Sequence, residues 1–127
     1  MTESLTIRCV VAADLLQWEA LWEGYNTHYN RTLPVEITRM TWSRFFDTYE
    51  PIHALVAEQD GTLLGLTHYL FHRSTSMIAP TCYLQDLFTA DSVRNKGIGR
   101  ALIESSMSKR GPRDVVASIG KRTKPMR

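Results

Sequence analysis

The dipeptide Asp60-Gly61 constrains this chain more than any other pair of residues. It stands between two apolar runs, His53–Gln59 and Thr62–Arg73. Both residues tolerate positive φ, which the tightest turn between antiparallel strands requires. The returning run is apolar on both alternating faces, so it predicts a central strand covered above and below. A loop at Ser74–Pro80 follows, and then Thr81–Thr89 repeats the strand pattern. Three consecutive strands with short connections make an antiparallel meander.

What precedes and follows the meander is helical. Leu5–Val11 reads as a short strand, closed by Ala12-Ala13-Asp14. Asp14 is placed to cap a helix, with Gln17 three residues on completing a capping-box pattern. Leu15, Trp18, Trp22, Tyr25 and Tyr29 then recur at three and four, one apolar helical face. Gly24 interrupts it. Pro34 breaks the chain, and a short helix around Thr41–Phe46 is expected, capped by Thr41 or Thr38. Beyond the meander, Ala90–Lys96 reads as a polar loop. Gly97–Ser106 reads as a helix with Ile98, Ala101, Leu102 and Ser105 on one side. Asp114–Ile119 has the makings of one more short strand. The order describes a mixed α/β (α+β) fold in one domain, and 127 residues suffice for one real core.

Charge divides the chain unevenly. Residues 1–104 carry eight basic and twelve acidic side chains, whereas residues 105–127 carry seven basic ones and a single acid, Asp114. All twelve aromatics lie at or before Phe88. The net charge of +2 is therefore the sum of a mildly acidic body and a basic tail. The basic tail, without aromatics interleaved among its basic residues, argues against a nucleic-acid surface. No apolar run reaches the length of a membrane span. The N-terminus lacks a signal-peptide pattern. Cys9 and Cys82 sit in strand-like apolar runs, so they are expected to be free buried thiols in a reducing cytoplasm. The cysteines and the four histidines show no paired ligand spacing, and no metal is expected.

The chemistry concentrates in Arg94-Asn95-Lys96-Gly97-Ile98-Gly99-Arg100, which follows a strand and opens a helix. The first turn of a helix has unpaired amides and a partial positive charge. Gly97 and Gly99 let backbone approach an anion closely, and Arg94, Lys96 and Arg100 add cationic donors. The combination describes a cradle for a pyrophosphate. It is not a Walker A loop, since no Gly-Lys-Ser/Thr follows. It is not a dinucleotide fingerprint either, since Leu102 occupies the third glycine's place.

Arg94-x-x-Gly97-x-Gly99, five residues after the strand end at Thr89, resembles the coenzyme A loop of the GNAT superfamily of N-acetyltransferases. Gly65–Phe71 and Tyr83–Phe88 resemble the third and fourth strands of its diamine (spermidine/spermine, thialysine) branch. Relatives acting on histones or D-amino acids are also similar. The resemblance covers about residues 5–105. It implies a GNAT-like mixed sheet with flanking helices, acetyl-CoA as co-substrate and a small primary amine such as a polyamine or amino acid as acceptor. A homodimer is the expected assembly, through the unpaired edge of the fourth strand. Leu87, Phe88 and Thr89 would face the pantetheine arm. Arg94, Asn95, Lys96, Gly97, Ile98, Gly99 and Arg100 would hold the pyrophosphate. Tyr25, Tyr29 and Trp42 lie where family members line the amine pocket, although core packing explains the same stripe. The diamine branch has a glutamate as base in Tyr-Leu-Glu-Asp; here Gln85 stands there, able to position a water but not to take a proton. Asp86 is the adjacent carboxylate, which alternation turns to the opposite face. It is a catalytic candidate or a plain hydrogen-bonding group. His68 and His72 share one face of the third strand and could relay a proton, or could be structural.

The resemblance stops near residue 105. Family members continue with a fifth strand, an Asn-x-x-Ala-x-x-x-Tyr element and a closing strand. The tyrosine serves as general acid to the leaving thiolate. This chain has no tyrosine after Tyr83. Ile119–Arg127 can be written in codons that, read one base earlier, spell the family-like string YWQTHETNA. The expectation is a GNAT-like domain over 1–105 and an atypical basic tail over 106–127, derived from a reading-frame change near Ser105–Ser106; the competing reading is a genuine basic tail that binds an acidic partner or nucleic acid. Codons for 106–127 that spell no family segment in another frame would end the frame-change idea. A non-catalytic, coenzyme-binding or dimerising remnant is the alternative reading of the whole. Without a native fifth strand, the fourth strand's edge would be filled by Asp114–Ile119 or by another copy of the chain.

Overall fold

A computed structural model describes residues 5–93, 97–108 and, for the backbone alone, 116–119. Five strands form one sheet in sequence order: β1 (Leu5–Cys9), β2 (Ile52–Gln59), β3 (Thr62–His72), β4 (Thr81–Thr89) and β5 (Val116–Ile119). The first four pair antiparallel, and β5 lies parallel to β4. Helices α1 (Leu15–His28) and α2 (Val35–Arg44) precede the meander, and α3 (Ile98–Ser108) follows it.

The Asp60-Gly61 turn has φ of 54° and 81° at its two central residues, which is the type I′ conformation expected of that pair. The hairpin is also held from outside. The Gln17 side chain donates to the Gly61 carbonyl at 3.0 Å and accepts from the Leu63 amide at 2.9 Å. Gln17 therefore ties α1 to the turn and takes no part in a capping box. Asp14 stands at the N-cap position of α1, but its side chain makes no capping bond to that helix. Its carboxylate forms two hydrogen bonds with the Arg8 guanidinium, at 2.8 and 2.9 Å, and accepts from the Val11 amide at 2.8 Å. A buried carboxylate favours a bidentate cation over a weak cap. The Arg8 contact holds the Asp14 carboxyl below its ordinary pKa.

Helix α1 stops at Asn30, which takes φ 57°. The amides of Asn30 and Arg31 turn back to the carbonyls of Thr27 and Asn26 at 2.9 and 2.8 Å, a Schellman closure with asparagine in the left-handed position. Helix α2 begins at Val35, six residues before the expected start at Thr41, because Pro34 serves as its entry residue. Thr38 lies inside that helix, buried, instead of capping it. The first strand ends at Cys9 and not at Val11, and Cys9 is exposed whereas Cys82 is buried; both are free thiols.

The sheet separates two cores. On one face α1 packs Trp18, Leu21, Trp22 and Tyr25 against Ala54, Val56 and Leu66, with Trp42, Phe45 and Phe88 alongside. On the other, Ile98 and Leu102 of α3 pack against Leu55, Ala57, Tyr69, Cys82 and Leu84. The stripe of aromatics on α1 is thus core. Two bulges interrupt the ladders. Leu64 is the extra residue opposite the Ala57/Glu58 step, and Gln85 is the extra residue opposite the His68/Tyr69 step.

Candidate functional site

The site is built around β4, whose two halves differ. β5 pairs with Thr81–Leu84 and ends opposite Leu84. The bulge at Gln85 comes next. A bulge adds one residue to one strand and so reverses which face the following side chains take. Cys82 and Leu84 pack on the α3 side, yet Phe88 packs on the α1 side and Leu87 on the α3 side. The strand beyond the bulge then runs past the end of β5.

Here a groove of about 390 Å³ opens, lined by His28, Tyr29, Leu87, Phe88, Thr89, Gly97, Gly99 and Arg100. Its floor is the end of β4 and its far wall is the start of α3. The chain leaves β4 through a bond from the Ala90 amide to the Leu64 carbonyl at 2.9 Å and a short turn over Asp91–Val93. Arg94, Asn95 and Lys96, expected to contribute to an anion cradle, lie outside the described residues. Gly97 takes φ 82°, and a Cβ there would meet nothing within 4 Å. Its role is therefore conformational: it enters the helix from the left-handed region that side chains resist. The first bond of the helix runs from the Ala101 amide to the Gly97 carbonyl at 3.0 Å. The amides of Ile98, Gly99 and Arg100 thus belong to the turn that has no intrahelical acceptor. Ile98 is buried and anchors that turn, while Arg100 is exposed beside it. Such a helix start beside a guanidinium attracts a phosphate.

A second cavity of about 520 Å³ adjoins the groove and shares His28 and Phe88 with it; Leu21, Gly24, Leu63 and Asp91 are among its other walls. Gly24 allows this arrangement, since a Cβ there would come within 3.0 Å of the Phe88 ring. His28 was not among the residues singled out from the sequence. Its signal was available: it closes α1, one residue before Tyr29.

The expected catalytic and substrate residues are distributed unevenly. Gln85 is half-buried at the bulge. Asp86 and His68 are both buried and are joined through the Asp86 Oδ2 and His68 Nδ1 at 2.9 Å. The other ring nitrogen of His68 accepts from the Trp18 indole N–H at 3.0 Å. Rings of Trp22 and Phe45 pack on His68 at 5.0 and 4.9 Å. Both ring nitrogens of His68 are therefore engaged inside the protein. His72, on the same strand, is exposed beyond this cluster, with Nδ1 against the Arg73 carbonyl. Of the three aromatics expected around an amine, Tyr29 lines the groove. Tyr25 is buried beneath it against Trp22 and Phe88, and Trp42 packs on Trp18 with the rings tilted and centroids 4.8 Å apart. Among the described residues no group of three or more His, Cys, Asp or Glu side chains could hold a metal ion, and no helix is long and apolar enough to cross a membrane.

The sequence matches the acetyltransferase (GNAT) family over residues 16–109. It is 27% identical over 106 residues to a D-amino-acid N-acetyltransferase of Saccharomyces cerevisiae, an alignment covering 82% of this chain and 66% of the yeast protein. The chain thus spans just under two thirds of that relative. Its fold resembles an aminoglycoside N-acetyltransferase solved in complex with CoA, with a TM-score of 0.76 at 16% identity, covering 96% of this chain and 81% of that one. A ribosomal-protein-alanine N-acetyltransferase from Brucella melitensis biovar Abortus 2308 is similar at a TM-score of 0.73 and 18% identity, over 94% and 84% of the two chains.

Proposed function

The chain belongs to the GNAT acetyltransferase family, and from that premise we propose that it transfers the acetyl group of acetyl-CoA to the primary amine of a small molecule, a polyamine, amino acid or similar compound. The observation that carries this reading is the end of β4: past the last described β5 ladder position, Leu87, Phe88 and Thr89 share one groove with Gly97, Gly99 and Arg100 at the start of α3. Leu87, Phe88 and Thr89 would hold the pantetheine arm. The amides of Ile98, Gly99 and Arg100, entered through Gly97, would hold the pyrophosphate with the Arg100 guanidinium. Arg94, Asn95 and Lys96 would complete that cradle.

In this reaction the neutral amine nitrogen bonds to the thioester carbonyl carbon, the carbon–sulfur bond breaks, and the amine proton leaves to a base. Gln85 cannot take a proton, so it would orient a water that does. Asp86 and His68 engage one another and not the acceptor. Tyr29, at the groove wall, would contact the amine, with Tyr25 and Trp42 supporting it from the core. The free thiols agree with a reducing compartment, the cytoplasm.

At the position where the resemblance places a base stands Gln85, which takes no proton. That favours a second reading, a protein that binds the coenzyme without turning over. Calorimetric titration with CoA and acetyl-CoA tests the shared part, and absence of binding to either sinks both readings. Thiol release over a panel of amines separates them: turnover on any amine supports the enzyme, and binding without turnover supports the second reading.

A further inference from the structure

The Trp18–His68–Asp86 chain has a direction that its chemistry dictates. The indole N–H only donates, so the His68 Nε2 facing it at 3.0 Å must present its lone pair. The imidazole proton then sits on Nδ1, which points at the Asp86 carboxylate at 2.9 Å. Each member is more than nine-tenths buried. A carboxylate in that setting requires donors, and His68 supplies one on the α1 side of the sheet only. The backbone of the same residue is held as well, since the Thr67 hydroxyl donates to the Asp86 carbonyl at 2.8 Å.

These contacts meet at the point where β4 changes parity. With Leu84 on the α3 side, regular alternation would send Asp86 to that side too, among Tyr69, Ile98 and Leu102. The extra residue at Gln85 lets Asp86 reach His68 instead. The same step decides the faces taken by Leu87 and Phe88, two walls of the groove.

We propose that Trp18, His68 and Asp86 are positioning residues that lock the register of β4 at the Gln85 bulge and thereby set the wall of the groove. The last step, from wall to coenzyme, rests on the acetyl-CoA reading; the lock itself does not. Exchanging one partner alone would leave a buried charge and could unfold the chain, so the informative variant replaces both. The double variant His68→Leu/Asp86→Leu removes donor and acceptor together, which a core tolerates far better. Asp86→Asn keeps an acceptor oxygen for the Nδ1 proton and serves as the conservative rescue.

The test is nuclear magnetic resonance on the full chain, with CoA titration alongside. In the parent, histidine ¹⁵N shifts should report a protonated Nδ1 and a bare Nε2, and cross-strand contacts should join Leu66 to Phe88. In the double variant Leu66 should instead meet Leu87, and CoA affinity should fall at least tenfold. Asp86→Asn should keep the parent register and affinity within about threefold. A parent His68 protonated on Nε2, or a folded double variant that keeps the Leu66–Phe88 contact, overturns the lock. A shifted register with unchanged CoA affinity overturns the positioning role. A parent that binds no CoA overturns the acetyl-CoA reading while the register comparison still decides the lock.

Discussion

The two halves of β4 share a strand but not a job. Thr81–Leu84 is flanked by β3 and β5, with Cys82 and Leu84 sealed against α3. Leu87–Thr89 is half-buried, lies past the end of β5, and lines a groove that ends on the first turn of a helix. One half contributes to the core and the other to a surface. The single extra residue between them, Gln85, is what separates the roles. A strand can thus be anchored and presented within nine residues, provided that a bulge lets each half choose its face.

The contrast can be broken most strongly from its closed half. Leu84→Ala should cost about 3 kcal/mol of folding stability, as truncation of a fully buried leucine does. Urea unfolding would measure it, and CoA affinity of the folded fraction should stay within about twofold. A variant that instead kept its stability and lost affinity would mean the halves are not separable. From the open half, Gly97→Val should weaken CoA binding at least tenfold, about 1.4 kcal/mol, because a β-branched residue resists the left-handed backbone. Gly97→Asn, which accepts that backbone more readily, should recover part of the loss in calorimetric titration. Equal affinity in parent and Gly97→Val would detach the groove from the coenzyme.

Behind the open half, a Cβ at Gly65 would come within 3.0 Å of the Phe88 carbonyl oxygen and 3.2 Å of Leu102. Gly65→Ala should therefore destabilise by roughly 1–2 kcal/mol, readable in thermal unfolding, and should perturb the groove more than Leu84→Ala does. The smallest effect is distant from β4 and serves as its control. Asp14 has a folded-state pKa lowered by Arg8. Its contribution to stability is complete above the unfolded carboxylate value, about 3.9. It is lost as pH falls through the lower folded value. Arg8→Met should flatten that part of the acid limb in urea midpoints taken below about pH 5, with the groove's affinity unaltered near neutrality. An unchanged acid limb would remove Asp14 from the account.

Much of the fold was legible because local chemistry agreed with it. Thr81–Thr89 is a strand over the full expected span, and Ile98 and Leu102 are the buried face of α3 as their spacing requires. Other features were settled by competition that no local pattern displays. Asp14 is a good cap by type, yet a half-buried guanidinium fifty residues from its second partner, Glu58, holds its carboxylate in place of the helix amides. Asn30 and Pro34 set the limits of α1 and α2, and both carried readable signals that the aromatic stripe and the threonines overshadowed. In the candidate site, Gly97 and Tyr29 line one groove, while Tyr25 and Trp42 pack into the α1 core.

By itself the sequence determined the features that depend on backbone freedom and local spacing: the Asp60-Gly61 turn, the meander it starts and the glycine that admits α3. Only the tertiary structure decided which way β4 faces on either side of Gln85. The physical reason is that a strand buried on both sides has no polar face to declare its register. The register was set instead by where a buried carboxylate could find a donor, and His68, itself fixed by Trp18, was that donor.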